Sequence, residues 1–202
     1  MDWQQKNVAV YDASAKELSD YFSGIGSRVE DIEQGLKLID SQATVRAVEI
    51  GCGDGRDAVE IVKRVDWYEG VDPSEGLLAI ARDRLPNTPF VQADALSYSY
   101  PTAVDIIFAF ASLLHVPKDD LEKVFTQAVA SLRPDGIFYI SLKFRPEYVE
   151  ETKSDAYGER MFYYYNPELI RELAGDQFTT VFESSQTIGS TDWFTIALRR
   201  RG

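Results

Sequence analysis

A glycine-rich turn is the stretch whose residue types and spacing point to small-molecule chemistry. The turn, residues 51–55, contains Gly51, Gly53 and Gly55 and follows a short apolar run that is typical of a buried parallel strand. Glycine tolerates positive φ and lets a ligand approach the backbone closely. Apolar residues at 58, 61, 62 and 65 then predict a helix, whose first N–H groups and positive dipole end would lie at the turn. This pattern predicts a turn that holds a polar or anionic small molecule.

Carboxylates follow the next two predicted strands. Residues 67–71 and 90–93 are predicted as the second and third strands, which end in Asp72-Pro73 and Asp94-Ala95. A carboxylate only accepts hydrogen bonds, so one at the tip of the second strand suits the two hydroxyls of a ribose. An ordinary turn or helix cap is the alternative for each aspartate. The distance in sequence between Asp72 and the glycine turn favours the ribose role for Asp72.

The glycine spacing separates two kinds of nucleotide site. A dinucleotide-binding turn reads G-x-G-x-x-G, but Arg56 occupies the third glycine position. The pattern Glu49-x-Gly51-x-Gly53-x-Gly55 instead resembles motif I of the class I S-adenosylmethionine-dependent methyltransferases. Residues 111–117, and Leu-Arg-Pro-x-Gly at 132–136, resemble two further motifs of that family. The resemblance extends from Glu49 to the C-terminus, and a tight turn in another α/β protein is the alternative.

This resemblance implies S-adenosyl-L-methionine as cofactor, S-adenosyl-L-homocysteine as product, and a small-molecule acceptor methylated on O, N or C. In the family, the residue matching Asp94 contacts the adenine amino group, and the next backbone N–H contacts a ring nitrogen. In the family, a tyrosine at the position of Tyr11 often lies near the cofactor, and plain packing is an equally weighted alternative for Tyr11. Cys52 is expected to be a small buried residue rather than a nucleophile. The expected cofactor-binding residues are Tyr11, Glu49, Gly51, Cys52, Gly53, Gly55, Arg56, Asp72, Pro73, Asp94, Ala95, Phe110 and Ala111.

His115 and an aromatic segment are the candidates for contact with the acceptor. His115 is the only histidine and a candidate general base, although a role in holding the loop before Pro117 is slightly favoured. Residues 144–165 show no clear period and combine tyrosines with charges, so we expect an irregular segment that binds the acceptor. Tyr157, Arg160 and Tyr163 join His115 as candidate substrate-binding residues. Tyrosine faces favour an amphipathic or cationic acceptor, and a surface loop with packed tyrosines is the alternative.

Alternating strands and helices predict a doubly wound, Rossmann-like α/β fold. We expect one methyltransferase domain over 1–202, with a helical cover over 1–40 and a core over 41–202. The cover should contain two helices, the second capped by Ser27. The resemblance implies a seven-stranded sheet in the order 3-2-1-4-5-7-6 with the seventh strand antiparallel. The ligand should lie outside the carboxyl ends of strands one, two and four.

Composition limits the partners that we expect. The 202 residues carry a formal net charge of −12, which disfavours nucleic acid. The N-terminus lacks the apolar core of a signal peptide, and the strongest apolar run is too short to span a bilayer. A single cysteine excludes an intrachain disulfide, and one cysteine with one histidine predicts no metal site. We therefore expect a cytoplasmic protein without nucleic-acid or membrane partners. The oligomeric state is left open.

Two alternative functions remain at this point. The first is a catalytically silent S-adenosylmethionine-binding module that supports a partner protein. The second is a nicotinamide-dependent oxidoreductase, which Arg56 at the third glycine position disfavours.

Overall fold

The computed structural model describes residues 2–40 and 44–202, and its centre is a seven-stranded sheet. The sheet strands are β1 Arg46–Ile50, β2 Trp67–Asp72, β3 Phe90–Gln92, β4 Val104–Phe110, β5 Leu132–Lys143, β8 Phe178–Ile188 and β9 Thr191–Arg200. Two further strands, β6 Val149–Asp155 and β7 Gly158–Tyr164, form a separate hairpin. The helices are α1 Trp3–Ala13, α2 Ala15–Ile25, α3 Val29–Lys37, α4 Ala58–Ile61, α5 Glu75–Arg84, α6 Lys118–Ser131 and α7 Pro167–Ala174.

The strand order confirms the predicted topology. The sheet runs β3-β2-β1-β4-β5-β9-β8, in which β8 and β9 are the sixth and seventh strands expected from the sequence. Strand β9 lies antiparallel to β5, whereas β1, β2, β3, β4 and β5 pair in parallel. The carboxyl ends of the parallel strands therefore meet at one edge.

Strand β4 is at the centre because it is apolar on both faces. All seven of its residues are buried. Ile107 belongs to a core shared with α6 and α7, and Phe108 belongs to a core shared with α3 and α4. Each such side chain contributes about 1.5–3 kcal/mol on burial, which fixes helices on both faces of the sheet.

The N-terminal cover contains three helices, so the prediction of two is wrong. Helix α1 lacks an apolar stripe, and the residue that it buries is the polar Asn7. Ser27 does not cap α3, because its hydroxyl donates to the Arg56 carbonyl oxygen at 2.6 Å. The expected boundary between cover and core adjoins residues 41–43, which lie outside the described residues.

The expectation of an irregular segment over 144–165 is also wrong. Strands β6 and β7 pair from Val149 with Tyr164 to Asp155 with Gly158. The second half of β7 is buried on both faces, so its sequence does not alternate between polar and apolar residues. Helix α4 is shorter than predicted, and no helix within the described residues is long and apolar enough to cross a membrane.

Candidate cofactor and acceptor site

A cavity of about 610 Å³ opens at the carboxyl ends of β1, β2 and β4. Its volume lies within the range of about 300–1,000 Å³ that is usual for ligand pockets. Side chains from α1, α2, the β6–β7 hairpin and the start of β9 also line it. The cavity is therefore enclosed partly by the sheet edge and partly by the N-terminal cover and the hairpin.

The three glycines of the turn have different reasons to lack a side chain. Gly51, Gly53 and Gly55 have φ values of +74°, +53° and +75°. A Cβ on Gly51 would lie 2.1 Å from Ser112 Cβ, and one on Gly55 would lie 3.1 Å from Ala81 Cβ. A Cβ on Gly53 would meet nothing closer than 3.9 Å. Gly51 and Gly55 are thus required by packing, whereas Gly53 leaves space along the cavity wall.

Four amides of the glycine turn have acceptors within the protein. The amides of Gly51 and Cys52 donate to the Val71 carbonyl oxygen at 2.7 and 3.0 Å. The Gly53 amide donates to the Asp72 carboxylate, and the Gly55 amide donates to the Cys52 carbonyl oxygen. Because α4 is only four residues long, its dipole adds little. The turn therefore offers close approach to its backbone, and the expectation that it holds a polar or anionic small molecule stays a prediction.

Asp72 lies at the tip of β2 with both carboxylate oxygens facing N–H donors. Oδ2 accepts from the Gly53 amide and Oδ1 from the Ser74 amide, each at 2.9 Å. A carboxylate has about four acceptor sites, so two remain for a pair of hydroxyl groups. Burial raises the pKa of Asp72 to about 6. The side chain can therefore accept hydrogen bonds from a diol while it stays ionised at neutral pH.

Asp94 is held in the turn after β3. Its Oδ1 accepts from the Leu96 and Ser97 amides at 2.8 and 2.9 Å, and its Oδ2 accepts from the Ser97 hydroxyl at 2.9 Å. The Asp94 carboxylate therefore stabilises the turn, which is the alternative to the adenine role expected for it. One acceptor site on Oδ2 is left toward the cavity, which Asp94 and Ala95 both line. That capacity matches a single N–H donor.

The other residues predicted at the cofactor divide into cavity-lining and supporting positions. Glu49 lies outside the lining; it accepts from the Tyr68 hydroxyl at 2.5 Å, and burial raises its pKa well above the usual range. Arg56 lines the cavity, but it pairs with Asp57 at 2.6 Å. Gly55 also lies outside the lining. The predicted residues that do line the cavity are Tyr11, Gly51, Cys52, Gly53, Arg56, Asp72, Pro73, Asp94, Ala95, Phe110 and Ala111.

His115 is engaged at both ring nitrogens. Its Nε2 lies 2.8 Å from the Tyr11 hydroxyl, and its Nδ1 lies 2.8 Å from the Met161 carbonyl oxygen. A carbonyl only accepts, so Nδ1 carries the proton and Nε2 accepts from Tyr11. Burial lowers the pKa of His115 to about 4, so the ring is neutral. This arrangement fits the loop-holding role better than that of a general base.

The three candidate residues of segment 144–165 occupy different places. Tyr157 and Arg160 line the cavity, and Arg160 pairs with Asp155 while its guanidinium lies 5.2 Å from the Tyr11 ring centroid. Tyr163 lies outside the lining and stacks on Tyr148 with ring centroids 6.4 Å apart. Successive residues of a strand point to opposite faces, so Arg160 and Tyr163 cannot share one. The expectation that Tyr163 faces the cavity is therefore wrong.

Sequence analysis missed four residues that shape the cavity: Asn7, Arg28, Lys143 and Trp193. Lys143 ends β5 at the edge where ligands of open α/β sheets bind, and that position was a usable signal. Arg28 and Trp193 come from segments that only the tertiary fold brings together. Asn7 had no sequence signal.

Residues 47–136 match the model of the methyltransferase domain family. Trans-aconitate 2-methyltransferase of Acidovorax sp. (strain JS42) is 35% identical over 109 residues, which are 53% of this chain and 42% of that protein. The chain spans about half the length of the curated relatives that it matches. Residues 47–136 are therefore similar to the methyltransferase domain family, in agreement with the resemblance that the sequence motifs carry.

Two solved structures share the fold along nearly the whole chain. The crystal structure of the [4+2]-cyclase SpnF superposes with a TM-score of 0.77 at 15% identity and covers 98% of this chain and 96% of that one. An S-adenosylmethionine-dependent methyltransferase from Leishmania major gives a TM-score of 0.74 at 16% identity, covering 97% and 82%. Because one of them is named a cyclase, the fold alone does not define the reaction. None of these similarities supports the silent-module or nicotinamide alternatives.

The family match and the acceptor side of the cavity fall on different parts of the chain. Residues 47–136 include the glycine turn, Asp72 and Asp94. They do not include Arg28, Lys143 or Arg160. The residues on the acceptor side of the cavity therefore lie outside the matched segment.

Proposed function

We propose that the chain is an S-adenosylmethionine-dependent methyltransferase that acts on a small molecule. The observation that carries the proposal is the meeting of Gly53 and Asp72 in one cavity. The open backbone at Gly53 lies beside a carboxylate with two unused acceptor sites. S-adenosylmethionine, when bound, supplies a methyl group already activated on a sulfonium.

The residues present fit that group. Asp72 accepts hydrogen bonds from the ribose hydroxyls, and Asp94 accepts one from the adenine amino group. Gly53 permits close approach of the ligand to the backbone. The remaining contacts come from the cavity-lining residues Tyr11, Gly51, Cys52, Pro73, Ala95, Phe110 and Ala111. Glu49 and Gly55 act indirectly, by holding the strand and the turn.

The chain contributes positioning and exclusion of water. The reacting atoms in such transfers must be held about 3–3.5 Å apart. The N-terminal cover and the hairpin line the cavity and would hold the acceptor in position. Enclosure also removes water from the charged reactants. His115 holds the Tyr11 hydroxyl on Nε2, so the site favours an acceptor atom that carries no proton at neutral pH.

Trans-aconitate is the first acceptor to test, because the curated relatives are named for it. Their matched portions cover only part of each protein, so the shared name is a starting point for this chain. We further infer a single catalytic domain. The net charge of −12 is the reason to expect no nucleic-acid partner.

Calorimetric titration with S-adenosylhomocysteine and with NAD tests the proposal. We expect S-adenosylhomocysteine to bind and NAD not to bind. Incubation with S-adenosylmethionine and trans-aconitate, followed by mass spectrometry, then tests transfer. Absence of S-adenosylhomocysteine binding by folded protein would overturn the proposal. Binding without turnover of any acceptor would instead favour the silent module.

A further inference from the structure

Both acidic and basic side chains line the cavity. Three of its aspartates, Asp54, Asp57 and Asp155, are paired with arginines. Asp72 and Asp94 lie on the side formed by β2 and β3. The other side carries cations from distant parts of the sequence: Arg28, Lys143, Lys153 and Arg160. In a chain with a net charge of −12, such a group of cations does not reflect overall composition. A local positive field of this kind attracts anionic ligands.

Three of these cations alternate with aromatic rings in one row. Arg28 and Lys143 lie 5.5 and 5.8 Å from the centroid of the Trp193 ring. Lys143 and Arg160 lie 4.6 and 5.5 Å from the centroid of the Phe162 ring. We call Arg28, Trp193, Lys143, Phe162 and Arg160 the cationic row. Its rings hold the charged groups apart while keeping them beside the same space.

Lys143 is the member of the row without a carboxylate partner. Arg160 pairs with Asp155, and Arg28 lies 3.7 Å from Asp31. Within residues 2–40 and 44–202, no ion pair includes Lys143. Burial lowers the pKa of Lys143, the nearby Lys153 and Arg160 lower it further, and Asp155 raises it in part. A half-buried ammonium among other cations is costly unless an anion accompanies it.

The arginines of the row also have unused donors. The Nε atoms of Arg28 and Arg160 are buried, and neither has a hydrogen-bond partner among the described residues. Guanidinium groups bind carboxylates through paired N–H donors. The row therefore combines an unpaired ammonium with two guanidiniums that can still donate.

We propose that the methyl acceptor is a small carboxylic acid whose anion binds Lys143, with Arg28 and Arg160 on either side. This rests on the proposed function, because it names the acceptor class of the same cavity. A carboxylate oxygen carries no proton at neutral pH, which suits a site where His115 is already engaged. It also differs from the cationic acceptor expected from the tyrosines, since Lys143 is a lining cation without a carboxylate partner among the described residues.

The test is calorimetric titration of the full chain with trans-aconitate, glycerol 3-phosphate and ethanolamine. Each titration is run with and without saturating S-adenosylhomocysteine. Anion binding can therefore be detected even if the protein does not bind the cofactor. We expect trans-aconitate to bind in preference to the other two compounds. Preference for the phosphate or for the amine, or no binding of trans-aconitate at millimolar concentration, would overturn the proposal.

Substitution of Lys143 gives the decisive comparison. Lys143→Met should weaken trans-aconitate binding about 10- to 100-fold, the usual effect of losing a charged hydrogen bond. Affinity for S-adenosylhomocysteine should stay unchanged, and Lys143→Arg should restore part of the lost affinity. Lys123→Met is the matched control, because it removes an exposed lysine of α6 that pairs with Asp120. Equal trans-aconitate affinity in Lys143→Met and Lys123→Met would show that the anion does not bind the row.

Discussion

The Tyr11 hydroxyl lies 2.8 Å from His115 Nε2, and this hydrogen bond joins α1 to the turn after β4. The opposite ring nitrogen bonds to the Met161 carbonyl oxygen in β7. One imidazole therefore connects the N-terminal cover, the sheet edge and the hairpin. All three elements enclose the cavity, so we expect His115 to affect stability and acceptor binding together.

Protonation of His115 should weaken the fold at acid pH. Burial lowers its folded-state pKa to about 4, whereas an unfolded histidine titrates near 6.5. Between these values the unfolded chain binds a proton that the folded chain does not. The free energy of unfolding should therefore fall as the pH drops from about 6.5 to 4, by roughly 3 kcal/mol. Urea unfolding at several pH values measures this change.

The matched variant for this prediction is His115→Gln, which keeps a polar side chain but cannot titrate. Other groups, including Asp72, titrate in the same range, so the quantity of interest is the difference between wild type and variant. That difference in the free energy of unfolding should shrink toward pH 4, because only the wild type loses the stabilising contribution of neutral His115. A difference independent of pH would contradict the neutral, doubly bonded imidazole.

Asp72→Asn should weaken S-adenosylhomocysteine binding roughly 10- to 150-fold, as expected for the loss of about 1.5–3 kcal/mol of charged hydrogen bonding. Asparagine is a better probe than alanine, because its side-chain oxygen still accepts from one of the Gly53 and Ser74 amides. Calorimetry measures the affinity, and thermal denaturation confirms folding. Unchanged affinity in a folded variant would exclude the ribose role.

The pH dependence of cofactor binding tests the same carboxylate. Burial raises the pKa of Asp72 to about 6, so the protonated form, which has lost acceptor capacity, grows below that pH. Affinity for S-adenosylhomocysteine should fall about tenfold by pH 5, since each pH unit below the pKa reduces the ionised fraction about tenfold. In Asp72→Asn this fall should be absent. The same fall in both proteins would assign the titration to another group.

Gly53→Ala and Gly51→Ala should have opposite consequences. At Gly53 the added Cβ meets no atom within 3.9 Å, and the left-handed conformation costs about 1–2 kcal/mol. That variant should fold but bind S-adenosylhomocysteine poorly, and Gly53→Val should bind still less. At Gly51 the Cβ would lie 2.1 Å from Ser112 Cβ, so the protein should be strongly destabilised. Calorimetry and thermal denaturation separate the effects, and normal binding by Gly53→Ala would place the cofactor elsewhere.

The predictable part of the structure is the part that local patterning determines. Buried parallel strands and a glycine turn leave signals within a few residues. So does Asn166 before Pro167, because its side chain accepts from the Leu169 amide and caps α7. Helix α1 left no such signal, because it attaches through Asn7 rather than through an apolar stripe. The hydrogen-bond partners of the Asn7 side chain lie more than 100 residues away in sequence.

The charge on the acceptor side of the cavity could not be predicted from the sequence for the same reason. Tyrosines in segment 144–165 were visible as a cluster, and they suggested a cation. Arg28, Lys143 and Arg160 come from three separate segments and converge only in the folded chain. The positive charge that these three residues place on one side of the cavity depends on the topology and cannot be read from local composition.

Asn7 should be the residue that holds α1 on the hairpin. Its amide nitrogen donates to the Met161 carbonyl oxygen at 3.0 Å, and its amide oxygen accepts from the Met161 amide at 2.9 Å. Asn7→Asp replaces the donor with an oxygen that faces a carbonyl, in a site that is 4% exposed. An unsatisfied buried polar group costs about 1–3 kcal/mol, so we expect faster hydrogen exchange in α1 and a raised KM for the acceptor.

The control for Asn7→Asp is Gln5→Glu, which makes the same change of amide to acid on an exposed residue of α1. Hydrogen exchange of the α1 amides should remain slow in Gln5→Glu, because the exposed Gln5 side chain makes no hydrogen bond to the described residues of β7. Affinity for S-adenosylhomocysteine should change less than acceptor KM in Asn7→Asp, since Asp72 and the glycine turn lie on other elements. If both variants exchange at the wild-type rate, α1 is held by contacts other than the two hydrogen bonds between Asn7 and Met161.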